Sequence, residues 1–317
     1  MRSMLPSFSK IAWPGLLAMA LLAGACGGSP AGPAPTRPLD SVATRPPPGA
    51  LASLLVASAD LGVGPQRFAV ALFDDAKRPV TDAQVRLRFF KVLGQDRAEL
   101  TAEADAPFRG QGLEKEGLQD RGVYAARVTF DSPGTWGVEA LAVRPGRPQE
   151  SVRASFEVLA RSRTPAIGDP APASRNKTIK DVGSVEELTT ARPPDPDLYR
   201  LAIADAIAQG RPFLVVFATP AFCTSRTCGP AVEQLQPLKA KYGDRVGFIH
   251  VEVYNDPVGL LKGGSDRSLR PAVLEWNLPT EPYTFLVDGR GRVFDKFEGF
   301  TPAAELEEAL QRLLAAG

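Results

Sequence analysis

Residues 212–230 read PFLVVFATPAFCTSRTCGP. Pro212 to Phe217 is a short apolar run of the kind that forms a strand buried on both faces, and the loop after it carries Cys223 and Cys228 into the start of a helical window. A thiol at a helix N-terminus lies beside unpaired backbone N–H groups and the positive end of the helix dipole, so its thiolate is stabilised and its pKa falls. A second thiol a few residues away can resolve a mixed disulfide. Cys223 and Cys228 are therefore the candidate catalytic pair.

The periods on either side of this stretch are mixed. Leu198 to Gln209 is a helical window closed by Gly210, Val232 to Tyr242 is helical, and Val246 to Val253 reads as a strand. Tyr283 to Val287 and Val293 to Glu298 flank the turn sequence Asp288-Gly289-Arg290-Gly291, and Pro302 to Ala315 is a final amphipathic helix. Alternating strands and helices followed by a hairpin and a helix predict an α/β fold, a central sheet covered on both faces.

From about residue 164 onward the chain resembles the thioredoxin superfamily, especially its exported, membrane-anchored branch. The resemblance is carried by Ile167-Gly168-Asp169-Pro170-Ala171-Pro172, by Phe217-Ala218-Thr219 before the cysteines, and by Pro282-Tyr283-Thr284-Phe285-Leu286-Val287-Asp288-Gly289. It implies that Pro282 is a cis-proline facing the cysteines and that the Glu281 backbone pairs with a peptide substrate, so Glu281 and Pro282 are the candidate substrate-binding residues. Two features depart from the family pattern. Four residues separate the cysteines instead of two, and a disulfide needs Cα atoms within about 7 Å, which requires Cys223 in the loop and Cys228 near the first turn. Cys228-Gly229-Pro230-Ala231 also mimics the start of a CGPC motif, so either cysteine is a candidate for the attacking thiol; the aromatic Phe222 favours Cys223. Val215 and Val216 stand about where many thioredoxins bury an acid, which leaves proton transfer to water or a surface group. One thiol is expected to titrate well below about 8.5 through the helix N-terminus and Arg226, with the Glu281 carboxylate opposing them.

Residues 51–160 alternate with period two. Phe68, Val70 and Leu72, then Val85, Leu87 and Phe89, share faces on either side of the turn-like Asp74 to Pro79. Tyr124, Ala126, Val128 and Phe130 lead through Ser132-Pro133-Gly134 to Trp136, Val138 and Ala140, and Val152, Ala154, Phe156 and Val158 close the pattern. This predicts an all-β sandwich, and the run from Gly122 to Trp136 resembles the final hairpin of immunoglobulin-like modules of exported bacterial proteins. The expected fold class is thus an all-β immunoglobulin-like sandwich (51–160) followed by an α/β thioredoxin-like domain (161–317).

The N-terminus reads as a targeting signal. Arg2 and Lys10 precede the apolar stretch Ile11 to Ala23, and Ala23-Gly24-Ala25 precede Cys26. Small residues before a cysteine resemble the lipobox of bacterial lipoproteins, so residues 1–25 are expected to be a signal peptide and Cys26 the lipidated residue. Residues 26–50, rich in Pro and Gly, form an expected spacer. This predicts a lipid anchor on the extracytoplasmic face of a membrane, with protein thiols and disulfides of the cell envelope as partners.

Composition excludes other classes. Lys+Arg 37 against Asp+Glu 36 supplies no basic field for nucleic acid, and a single His with three Met, all within the first 19 residues, argues against His-based metal sites and histidine relays. No cofactor and no metal is expected. Copper chaperones of the Sco type combine two Cys with a His, but the only His here is His250, expected to serve packing in its strand. The rival reading is a non-enzymatic binding lipoprotein in which Cys223 and Cys228 form a structural disulfide.

Overall fold

The computed structural model describes residues 47–94 and 97–316. Residues 1–46, on which the expected signal peptide, Cys26 with its expected lipid attachment and most of the expected spacer fall, lie outside the described residues.

Eight strands come first: β1 (Leu51–Val56), β2 (Gly64–Asp74), β3 (Gln84–Gly94), β4 (Arg97–Asp105), β5 (Phe108–Arg109), β6 (Val123–Phe130), β7 (Gly134–Val143) and β8 (Glu150–Val158). They make two antiparallel sheets, in the orders β1-β2-β6-β5 and β4-β3-β7-β8. The alternating residues of β2, β3, β6 and β7 meet in one cluster that contains Phe68, Phe89, Tyr124, Phe130 and Trp136. Phe130 and Trp136 pack edge to face at 5.0 Å, and the Tyr124 hydroxyl accepts from Ala83 N at 3.0 Å. The hairpin expected across Ser132-Pro133-Gly134 is corrected: β6 and β7 belong to different sheets, and this turn carries the chain from one to the other. A period-two pattern places a side chain on a face but leaves the partner of each strand open.

The second half contains α1 (Ile203–Ala208), β9 (Phe213–Ala218), α2 (Cys228–Glu233), α3 (Leu235–Tyr242), β10 (Gly247–Glu252), α4 (Pro257–Leu261), α5 (Pro271–Glu275), β11 (Tyr283–Val287), β12 (Val293–Glu298) and α6 (Ala303–Ala316). Its sheet has the order β10-β9-β11-β12, with β10 parallel and β11 antiparallel to β9. All six residues of β9 are buried, because both faces of the sheet are covered. Phe213, Val215 and Phe217 pack with Ile203 of α1 and Trp276 just past α5, whereas Leu214, Val216 and Ala218 pack with α2, α3 and α6.

Two expected helices are shorter than their windows. The chain over 232–242 breaks at Gln234, because Pro237 has no N–H to donate to the Glu233 carbonyl. The window over 198–209 is a 3-10 turn at Pro196–Tyr199 and then α1, whose first N–H is capped by the Asn176 side chain at 2.8 Å.

Charged side chains join the first sheet to the last. Arg67 of β2 makes two hydrogen bonds to Glu305 of α6, at 2.7 and 2.9 Å, with both side chains buried. Its neighbour across the ladder, Arg127 of β6, makes a similar pair with Asp295 of β12. Lys296 donates to Asp60 and Thr164 at 3.3 and 3.0 Å, and all three are buried.

Candidate functional site

The site forms where β9 ends. Its last residue, Ala218, lies beside Glu252 of β10, and the chain then loops through Cys223 into α2, which begins at Cys228. Arg226 N donates to the Cys223 carbonyl at 3.1 Å, closing a turn, and Arg226 takes φ +61, a left-handed conformation unusual for a side-chain-bearing residue. That reversal lets four intervening residues bring Cys228 back to Cys223.

Cys223 is 8% exposed and Cys228 fully buried, both as free thiols. The Cys223 thiol is held down to about 5, first by a hydrogen bond from the Cys228 thiol, then by the Ser225 hydroxyl at 3.1 Å and the backbone N–H groups of Cys228 and Thr227, against the cost of burial. Ser225 is in turn hydrogen-bonded to the Thr227 hydroxyl at 2.8 Å. Burial pushes Cys228 strongly upward, reinforced by its hydrogen bond to Cys223 and by the charges of Cys223 and Glu281. The two thiols are therefore unequal, with Cys223 lowered and Cys228 raised. The expected contribution of Arg226 is corrected: its guanidinium is not among the main causes, the side chain is exposed, and the residue acts through its backbone.

Glu281 and Pro282 face the same loop. The Glu281–Pro282 bond is cis, and both residues line a groove with Ser225 and Thr227. Gly299 N donates to the Pro282 carbonyl at 2.9 Å, and its φ of +76 makes glycine the suitable residue where β12 ends against the proline loop. The Glu281 carboxyl is raised by burial first, then by the charges of Cys223 and Glu252, and among the described residues it has no hydrogen-bond or ion-pair partner. Cys223, Cys228, Glu281 and Pro282 are thus brought together; Cys26 lies outside the described residues.

A buried acid does exist, although not in β9. Glu252, 1% exposed, accepts from Thr190 N and Thr190 Oγ1, each at 2.8 Å, and from Val253 N at 3.0 Å. The Thr190 hydroxyl accepts from Ala221 N, so the acid braces the loop two residues before Cys223. Sequence reading missed it; the available signal was a carboxylate continuing the apolar strand Gly247–Glu252. Ser225 and Thr227 were also missed, although both stand between the cysteines.

His250 is buried in β10. The Ala218 carbonyl accepts from its Nε2 at 3.1 Å and its Nδ1 accepts from the Tyr199 hydroxyl at 2.7 Å, which together specify a neutral ring. Burial also holds its pKa down. Among the described residues no group of three or more His, Cys, Asp or Glu side chains is placed to hold a metal ion, and no helix is long and apolar enough to cross a membrane.

No family model and no curated protein matches the chain. Among solved structures, a putative thiol:disulfide interchange protein DsbE from Chlorobium tepidum aligns at 17% identity and a TM-score of 0.35, covering 48% of this chain and 99% of that one. StoA from Bacillus subtilis aligns at 19% identity and a TM-score of 0.25, covering 32% of this chain and 84% of that one.

Proposed function

We propose that the chain is an extracytoplasmic, lipid-anchored protein whose second half is a thioredoxin-like thiol–disulfide oxidoreductase, preceded by an immunoglobulin-like sandwich. The observation that carries the redox reading is the inequality of the two thiols: Cys223 is held as a thiolate at neutral pH by four hydrogen-bond donors, while Cys228 is buried and protonated beneath it. Such a pair suits sequential exchange. The Cys223 thiolate attacks one sulfur of a partner disulfide, forming a mixed disulfide and releasing the other partner sulfur as a thiolate. Cys228 then loses its proton and attacks Cys223 Sγ, and the second partner thiol leaves. Two electrons have passed to the partner, and the chain holds a Cys223–Cys228 disulfide; the reverse sequence oxidises a dithiol. Glu281, a half-buried carboxylate acting electrostatically on both sulfurs, is the proposed acceptor of the Cys228 proton. The anchor rests on the residues around Cys26.

The test is a redox titration of the full chain. Exchange predicts a midpoint above about −300 mV, the range below which structural disulfides fall. It also predicts a mixed disulfide that accumulates in Cys228→Ser and does not form in Cys223→Ser. A lower midpoint, with both thiols titrating near the unperturbed value of about 8.5, would establish the structural-disulfide reading instead. In the same preparations Cys26→Ser should leave the membrane fraction, and unchanged fractionation would remove the anchor.

A further inference from the structure

The outward-facing residues of β2 change character along the strand. Arg67 reaches Glu305, but the next two, Ala69 and Ala71, are small, and Phe73 ends the row. Where the arginine stands, the first sheet is drawn onto α6; where the alanines stand, a groove of about 500 Å³ opens between this sheet and the cysteine loop. Its sheet wall is Leu55, Ala57, Ala69, Ala71 and Phe73, and its other wall includes Ser225, Thr227, Glu281 and Pro282. Leu55 lies beside Ala71 in the ladder and is 58% exposed. From Ala69 to Phe73 a strand runs about 13 Å, the length of about four extended residues.

The charges around the groove are unequal: Asp120, Glu281 and Glu298 face Arg121 alone. Glu298 is already engaged, accepting from Ala59 N and Asp60 N. Glu281 has no such partner among the described residues, and a half-buried carboxylate without a counter-charge is a site for a cation.

We propose that this groove is the docking cleft for a cysteine-bearing segment of a partner polypeptide, extended over Leu55 and Ala71, with a lysine or arginine next to its cysteine paired to Glu281. The sandwich is then part of the substrate site and selects basic, apolar segments. This rests on the exchange reading above, because the groove opens onto the residues between the two thiols.

The test uses the reduced full chain with two disulfide-linked peptides of the same apolar sequence, one with Lys and one with Glu beside the cysteine, and hydroxyethyl disulfide as a small reference. The Lys peptide should be reduced at least tenfold faster than the Glu peptide, and Glu281→Gln should bring that ratio to within about twofold. Ala71→Trp should lower the peptide rate at least tenfold relative to the reference rate. If that variant fails to fold, Leu55→Gln, at an exposed position, should lower the same ratio about threefold. Equal rates for the two peptides, or parallel losses with peptide and reference in both groove variants, would overturn the cleft while leaving exchange intact. Absence of reaction with the reference disulfide would overturn exchange and the cleft with it.

Discussion

At Cys223 three kinds of donor converge on one sulfur: a thiol, a hydroxyl and two backbone N–H groups. The acidic thiol has a measurable consequence for proton uptake. Below about pH 5 reduction of the pair takes up two protons, and above it one, so the potential should change by about 59 mV per pH unit and then by about 30 mV. A single slope up to pH 8 would contradict a thiol at about 5. Glu281 opposes the thiolate through its charge. Glu281→Gln removes that charge at nearly constant shape, so the alkylation midpoint of Cys223 should fall by a few tenths of a unit to about one unit. The stabilised thiolate would make the pair more oxidising, and an unchanged midpoint would put the Glu281 charge out of reach of the sulfur. The cysteines and Glu281 were readable in the sequence because their motifs are local. Glu252 was not, since its burial beside the loop depends on β10 pairing with β9.

Elements here are held by charge as well as by apolar faces. The buried Arg67–Glu305 pair ties β2 to α6 across 238 positions of sequence. Burial alone would raise the Glu305 carboxyl, but the charge and hydrogen bonds of Arg67, with Arg109 and Arg127, hold it below its ordinary value. Its contribution to stability is therefore present above the unfolded value of about 4.3 and is lost as pH falls through the lower folded value. Arg67→Met would remove both hydrogen bonds of a buried carboxylate and leave it Arg109, at 3.7 Å, as a weaker partner, so it should cost about 3 kcal/mol in denaturant unfolding at pH 7. The double variant Arg67→Met, Glu305→Leu should recover most of that loss. A single variant within about 0.5 kcal/mol of wild type would show that the pair is not buried in solution.

The described residues form one compact unit, although their strands belong to three sheets. Arg67–Glu305, Arg127–Asp295 and Asp60–Lys296 all run from the first sheet or its flank to β12 or α6. The two halves should then unfold together. Trp136 is buried among the strands of the first two sheets and Trp276 against Phe217 and Phe285 of the last sheet, so each can report its own part of the chain. Urea unfolding of Trp136→Phe and Trp276→Phe, each referred to its own far-UV transition, should give coincident fluorescence and circular-dichroism midpoints. Separate transitions would show halves that are independent despite the ion pairs.

The sequence by itself determined which faces are buried and which residues make up the candidate site. Period-two runs oriented Phe68, Leu87 and Trp136 inward, and the continuous apolar run at 213–218 marked a strand covered on both sides. These are short-range patterns, in which a side chain's direction follows from its neighbours. Tertiary structure decided what those patterns cannot carry: that β6 and β7 part into different sheets, that Cys223 and not Cys228 becomes the acidic thiol, and that Ala69 and Ala71 of one half face Glu281 of the other. Each depends on groups far apart in the chain being brought within a few ångströms, or on the exact path of a loop backbone. Neither follows from residue type and spacing.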